Sequence, residues 1–177
     1  DLLRLSVASA GNDHRLGGNE APPAIISMFI GSDLKKVLKC IENDLPYDED
    51  ILSRMDIDVD VLPSFMKDTT DRNRTSPFAF TGNKFEFRML GSTCNIACPN
   101  TILNTIVANS LCDYADILET SSNIDETINQ IIKDTMKKHS RIIFNGNNYA
   151  EEWVIEAERR GLSNFKTAVD VLPHYVD

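Results

Sequence analysis

Cysteine is scarce in this 177-residue chain: there are four, Cys40, Cys94, Cys98 and Cys112, and they lack the spacing of a disulfide framework. A chain of this length can bury a core without covalent staples, so free thiols in a reducing compartment are the expectation, which places the protein in the cytoplasm. Cys94 and Cys98 stand four residues apart, but no second Cys or His pair follows at a finger-like interval, so no zinc-finger pattern is present. Long apolar runs are missing as well. No stretch of 18 apolar residues and no targeting motif occurs, so no membrane span is expected. Positive charge is in deficit, with 18 Lys and Arg against 27 Asp and Glu and a formal net charge of -9, which argues against a general nucleic-acid binder. An acidic chain can still gather anionic ligands wherever its cations cluster. The chain opens without Met, at DLLRLSVASAG, and that start reads as the middle of a domain, so a piece of a longer polypeptide is expected.

What is present is an ordinary globular composition, 42% hydrophobic and 25% charged, with a change of character along the chain. After Gly17 and Gly18, the stretch EAPPAIISMFIGSDLKKVLKCIEN puts Pro22 and Pro23 where a first helical turn tolerates them. Ile25, Ile26, Phe29, Ile30, Leu34, Val37, Leu38 and Ile41 keep helical spacing, which predicts a helix after Glu20 with a break near Gly31 and Ser32. A loop and then a strand carrying Ile57, Val59 and Val61 follow. Turn residues at Asp68 to Asp71 and at Thr81, Gly82 and Asn83 bracket two short strand-like runs, as in a hairpin. Beyond Ser92 the chain reads as helix. A buried helix is predicted over TILNTIVANSLCDYADIL. A second is predicted from Ser122, with Asp125 and Glu126 early and Lys137, Lys138 and His139 late, and a third over YAEEWVIEAERRG, with Gly161 at its C-cap. The whole is an α+β core followed by a helical extension.

Two constellations could carry chemistry. In GNKFEFRMLGS, Lys84, Glu86 and Arg88 alternate with Phe85, Phe87 and Met89, so on a strand the charges share one face and the large apolar groups share the other. If DRNRTS is adjacent, Arg72 and Arg74 join Lys84 and Arg88 around Glu86. Guanidinium groups grip phosphate or carboxylate through paired hydrogen bonds, and a carboxylate among them can ligate a metal. Composition alone favours a salt-bridged, solvated sheet face. The second constellation is GNDHRLGGNEAPP, residues 11–23, which reads as a sharply bending loop with Arg15 and Glu20 at its ends; a surface turn before a helix, with Glu20 near its N-terminus, fits it as well. His14 reads as a solvated loop histidine, Arg159 and Arg160 as helix C-terminal charge, and Trp153 as core.

In this order the two constellations resemble the glutamine synthetase family. The wording GNDHRLGGNEAPPAIISMFIG followed by DRNRTSPFAFTGNKFEFRMLGS is similar to its type III branch, and FNGNNYAEEWVIEAERRGLSNFKTAVDVLP is similar to part of the type III C-terminal extension. The resemblance implies a partial catalytic domain of antiparallel strands with packed helices at residues 1–112 and a helical segment of the extension at 113–177. It implies ATP-dependent ligation of ammonia to glutamate through a γ-glutamyl phosphate, with ATP and Mg2+ or Mn2+ as cofactors and a homo-oligomer, a stacked-ring dodecamer, as assembly.

By the same resemblance, Glu20 lies on a flap and helps take a proton from ammonium. Arg15, at a spacing one shorter than is common in the family, contacts glutamate. Arg74 stabilises the transferring phosphoryl group and contacts the nucleotide. Glu86 binds metal, Lys84 stands where the family commonly has an ATP-contacting arginine, and Arg88 holds the substrate carboxylate. Ala79 occupies a position where many relatives carry a further arginine. The glycine-rich ATP loop and the other metal-binding glutamates have no counterpart in these 177 residues, so the chain alone is expected to be inactive. A ligase acting on another acid or amine, a guanidino kinase-like phosphotransferase and a non-catalytic nucleotide-binding or regulatory module are the competing readings.

Overall fold

Residues 21–31, APPAIISMFIG, run extended through the middle of the protein, and their neighbours explain the path. Ala24 and Ile26 pack with Val7, Leu16, Ala21 and Met89, whereas Ile25 between them packs with Trp153 and Ala157. Successive side chains pointing to opposite sides are the signature of an extended chain buried on both faces, and such a run is continuously apolar. The helix predicted across these residues is therefore confined to its second half. The run itself forms strand β1, Met28–Phe29, and Gly31, at φ 79°, turns the chain into helix α3, Ser32–Glu42.

The computed structural model describes residues 1–18, 21–46, 54–55, 65–66 and 75–175. Two short helices, α1 (Leu2–Ser6) and α2 (Ala10–Arg15), precede β1. The sequence reading of 11–23 as a loop is corrected here: Ser9 is an N-cap whose hydroxyl accepts from the Asn12 amide, and the helix runs to Arg15 before the glycines. Strands β2 (Arg54–Met55) and β3 (Phe65–Met66) pair antiparallel. The strand predicted around Ile57, Val59 and Val61, and the turn at Asp68 to Asp71, lie outside the described residues.

The predicted hairpin is strands β4 (Phe78–Phe80) and β5 (Phe85–Phe87), antiparallel, with Ala79 opposite Glu86. Its turn is closed by the Thr81 amide donating to the Lys84 carbonyl, 2.9 Å, with Gly82 at φ 99°. On the other side β4 pairs parallel with β1, so the sheet has the order β1-β4-β5 and is mixed rather than purely antiparallel. Of the apolar face of β5, Met89 is buried and Phe87 partly so. Phe85, against expectation, is half exposed, 5.1 Å from the Phe80 ring and 5.7 Å from that of Phe78.

Helix α4, Ala97–Glu119, extends further than predicted but is not buried: only Pro99 is, and Ile106, Val107, Leu111 and Ile117 are exposed. Its apolar residues are spread round the helix rather than gathered in one stripe, so a single neighbouring helix cannot cover them. Among the described residues no helix is long and apolar enough to cross a membrane. Helix α5, Ile124–His139, starts one residue later than the Ser122 reading implies, because Asn123 is the cap that accepts from the Glu126 amide. Its carboxylates are in the first turn and Lys137, Lys138 and His139 in the last, as expected for the helix dipole. Helix α6, Glu151–Arg159, ends as predicted at Gly161, φ 68°. The amides of Gly161 and Leu162 donate to the carbonyls of Glu158 and Ala157, a Schellman closure. A short α7, Ala168–Val171, carries a capping box between Thr167 and Asp170.

Trp153 is core, 2% exposed, and stacks on Phe144 with ring centroids 3.8 Å apart. Arg160 does more than end a helix. Its guanidinium lies over both rings, donates to the Ile143 carbonyl at 3.0 Å and pairs with Glu156 at 2.6 Å.

Candidate active site

Strand β5 and its continuation project Glu86 and Arg88 to the same side, two residues apart. The Arg88 guanidinium turns back along the strand and donates from Nε and Nη2 to Glu86 Oε2, at 3.1 and 3.0 Å. Lys84 Nζ approaches the other oxygen, Oε1, at 3.3 Å. The Arg88 and Lys84 hydrogen bonds hold the Glu86 carboxyl below the usual carboxylate range, so it is ionised throughout the neutral range. Ala79, directly opposite Glu86 in the hairpin register, is fully buried; a methyl group fills the place beside the carboxylate.

Arg15 reaches this face from the last turn of α2. Its Nη2 donates to the Met89 carbonyl at 2.7 Å and its Nε to Asn12 Oδ1 at 3.0 Å. Asn12, buried, also donates from Nδ2 to the carbonyls of Met89 and Val7, at 2.9 and 2.8 Å, and so ties α2 to the end of β5. Sequence reasoning overlooked Asn12; the signal was Ser9, whose capping of α2 places Asn12 inside a helix rather than in a loop.

These elements enclose a cleft of about 430 Å³. Arg15, Glu86 and Arg88 line it with Ser76, Pro77 and Met89 on one hand and Leu16, Ala21 and Pro22 on the other. Two guanidinium groups and one carboxylate thus line it, and guanidinium forks suit carboxylate or phosphate oxygens. Lys84 is not on its lining; it stands 65% exposed at the far side of Glu86. Glu20, Arg72 and Arg74 lie outside the described residues, although Ala21 and Ser76, close to them in the chain, line the cleft. Tyr149, from the segment before α6, also lines it, and no motif in the sequence pointed to that residue.

The chemistry of the donor set bears on a metal. An ionised carboxylate oxygen is the hard ligand that Mg2+ and Mn2+ take, and Glu86 supplies one. Among the described residues no group of three or more His, Cys, Asp and Glu comes together, and Glu86 offers a metal a single carboxylate. The four cysteines are unpaired.

A family model described as "Glutamine synthetase C-terminal domain" matches residues 127–177. Over 175 residues, 97% of this chain, the sequence is 47% identical to the type-3 glutamine synthetase of Dictyostelium discoideum. It is 43% identical to a glutamine synthetase of Bacteroides fragilis over its full length, and 46% identical to one of Butyrivibrio fibrisolvens over 99% of it. The chain spans about a quarter of the length of these relatives, 24 to 25%. With that similarity running continuously from the Arg15 helix through the Glu86 strand into the segment that carries Tyr149, the chain belongs to the glutamine synthetase family, in its type 3 branch.

Proposed function

We propose that these residues form the acid-binding part of a glutamate–ammonia ligase whose active unit is a polypeptide of the length of its relatives. The observation that carries this reading is the single cleft on which Arg15, Glu86 and Arg88 converge. Arg88 and Arg15 hold the carboxylates of glutamate. A γ-carboxylate oxygen attacks the terminal phosphorus of ATP, ADP leaves, and an acyl phosphate forms. Arg74 stabilises the charge spreading over the phosphoryl oxygens, and Lys84 contacts the nucleotide as a point charge where an arginine would present a fork. Glu20 takes a proton from ammonium, and the resulting ammonia attacks the carbonyl carbon, gives up a proton to the departing phosphate and leaves the amide. A divalent cation, with Glu86 as one ligand, offsets phosphate charge when bound. Assembly as a homo-oligomer in the cytoplasm belongs to the same proposal, and the exposed apolar residues of α4 support the oligomer.

The test is glutamine formation dependent on ATP and ammonia by the full-length polypeptide, with the 177-residue chain alone inactive. Arg88→Ala should lower kcat/KM for glutamate by about 10²- to 10³-fold, the loss that follows removal of one charge-stabilising contact. Failure of the full-length protein to make glutamine sinks the reading. Glutamine made by the 177 residues alone would overturn the claim that they need the remainder.

A further inference from the structure

Asn12 and Arg15 stand one turn apart on α2, and with the Met89 carbonyl they close a ring of hydrogen bonds beside the cleft. Arg15 donates from Nε to Asn12 Oδ1 at 3.0 Å and from Nη2 to the Met89 carbonyl at 2.7 Å, and Asn12 Nδ2 donates to that same carbonyl at 2.9 Å. The partners set the orientation of the Asn12 amide. A guanidinium only donates and a carbonyl only accepts, so the oxygen must face Arg15 and the nitrogen must face Met89. The ring is anchored at its corners. Asn12 is 2% exposed, gives its other amide hydrogen to the Val7 carbonyl at 2.8 Å and is held at its backbone by the Ser9 hydroxyl at 3.2 Å. Met89 is buried, and the backbone amide of Arg88, just before it, donates to the Pro77 carbonyl at 2.8 Å.

An arginine that must order itself to grip an anion gives up rotamer freedom, and the grip is weaker by that amount. At Arg15 two N–H groups are already committed to the scaffold, which fixes the plane of the guanidinium on the cleft it lines. Met89 follows Arg88 in the chain, so the ring also ties Arg15 to the strand that carries the second guanidinium. Asn12 lies behind Arg15 and off the cleft lining, so its effect on a ligand runs through Arg15.

We propose that Asn12 is a positioning residue for the acid substrate: through the ring with Arg15 and Met89 it holds the Arg15 guanidinium ready for a carboxylate of glutamate, at a fixed place relative to Arg88. The inference rests on the ligase reading and adds to it a residue that touches no substrate. In the full-length protein, Asn12→Leu should raise KM for glutamate about tenfold, the scale of one hydrogen bond to a charged group, with KM for ATP within about twofold. Its Tm should fall as well, because the amide is buried. Asn12→Asp keeps the oxygen for Arg15 and gives up both donations to carbonyls, so Tm should fall at least as far while KM for glutamate stays within about threefold of wild type. Equal rises in KM in the two variants would show that KM follows stability alone, and would overturn the inference. In an Arg15→Ala background, Asn12→Leu should add nothing to KM for glutamate; a full further rise there overturns it too. Arg15→Lys keeps the charge but loses the fork, on a side chain whose replacement does not threaten the fold, and should raise KM for glutamate about tenfold. A wild-type KM in Arg15→Lys overturns the inference even where the Asn12 variants fail to fold. Unchanged KM in Asn12→Leu, in a protein that makes glutamine and loses that activity in Arg88→Ala, removes Asn12 and leaves the ligase reading standing. A wild-type protein that makes no glutamine removes both.

Discussion

At Glu86 two cations converge on one carboxylate, Arg88 on Oε2 and Lys84 on Oε1, and the group stays ionised where an isolated glutamate would begin to protonate. Glu86→Gln keeps the shape and an acceptor oxygen but removes the charge that a divalent cation needs. If the proposed ligase holds its cation through Glu86, the variant should require a much higher concentration of Mg2+ or Mn2+ for half-maximal glutamine formation, with only a modest fall in Tm because the Glu86 carboxylate is partly open to solvent. Metal titrations of wild type and variant that superimpose would remove Glu86 from the metal site. The alternation of KFEFR made this residue legible, since period two alone puts Lys84, Glu86 and Arg88 on one face. Which of the three meet on the cleft was not legible. That depends on where the strand ends and on the 2.7 Å contact of Arg15 with Met89, which joins residues far apart in sequence. Tyr149 was hidden for the same reason: nothing local to NGNNY says which surface the loop will face.

Among the elements, α6 holds its last turn with a charge cluster. Arg159 donates to both oxygens of Glu156, at 2.6 and 2.8 Å, and Arg160 adds a third bond. These two arginines pull the Glu156 carboxyl from an ordinary 4.5 down to about 2. A folded-state value below the unfolded one means the unfolded chain binds the proton more readily, so the cluster's contribution is complete above about pH 5 and fades as pH falls toward about 2. Glu156→Gln should therefore be less stable than wild type by a constant margin above pH 5, narrowing on acidification, as read from urea midpoints. A margin that is flat from pH 6 to pH 3 would show that the cluster does not couple to folding. Elements with their own local chemistry, such as this helix with Gly161, α5 with its acidic start and basic end, and the β4–β5 hairpin with Gly82, were legible to within a residue or two. The run AIISMFI was not, because a stretch buried on both faces has no polar side to set its period. Nor was the exposure of α4, whose apolar content reads the same whether or not this chain covers it.

Across the whole molecule, the residues before α4 and those after α5 meet through buried chemistry, and one residue shows how tightly. Asp13 in α2 accepts from Arg4 in α1 at 2.8 Å and from the amide of Ala168, the first residue of α7, at 2.7 Å. Arg4, whose side chain is 2% exposed, also donates from Nε to the Phe165 carbonyl at 2.8 Å. Its Nη1 has no partner among the described residues, so its charge is balanced chiefly by Asp13. With Ile25 against Trp153 and Ala157, and Met28 bridged to Ile143, this clamp leads us to propose that the two segments unfold together. Removing one partner of a buried ion pair leaves the other charge desolvated and uncompensated, which typically costs about 3–5 kcal/mol. Asp13→Ala in the full-length protein should lose about that much, and Arg4→Met with Asp13→Ala should recover part of it, since no orphaned charge remains. Calorimetry and denaturant titration followed at both ends of the region read the outcome. A loss below about 1 kcal/mol would mean that solvent reaches Arg4 when Asp13 is gone. Two separated transitions, one for each segment, would show that the C-terminal segment docks on a core that already stands without it, and that Tyr149 reaches the cleft only after that core has formed.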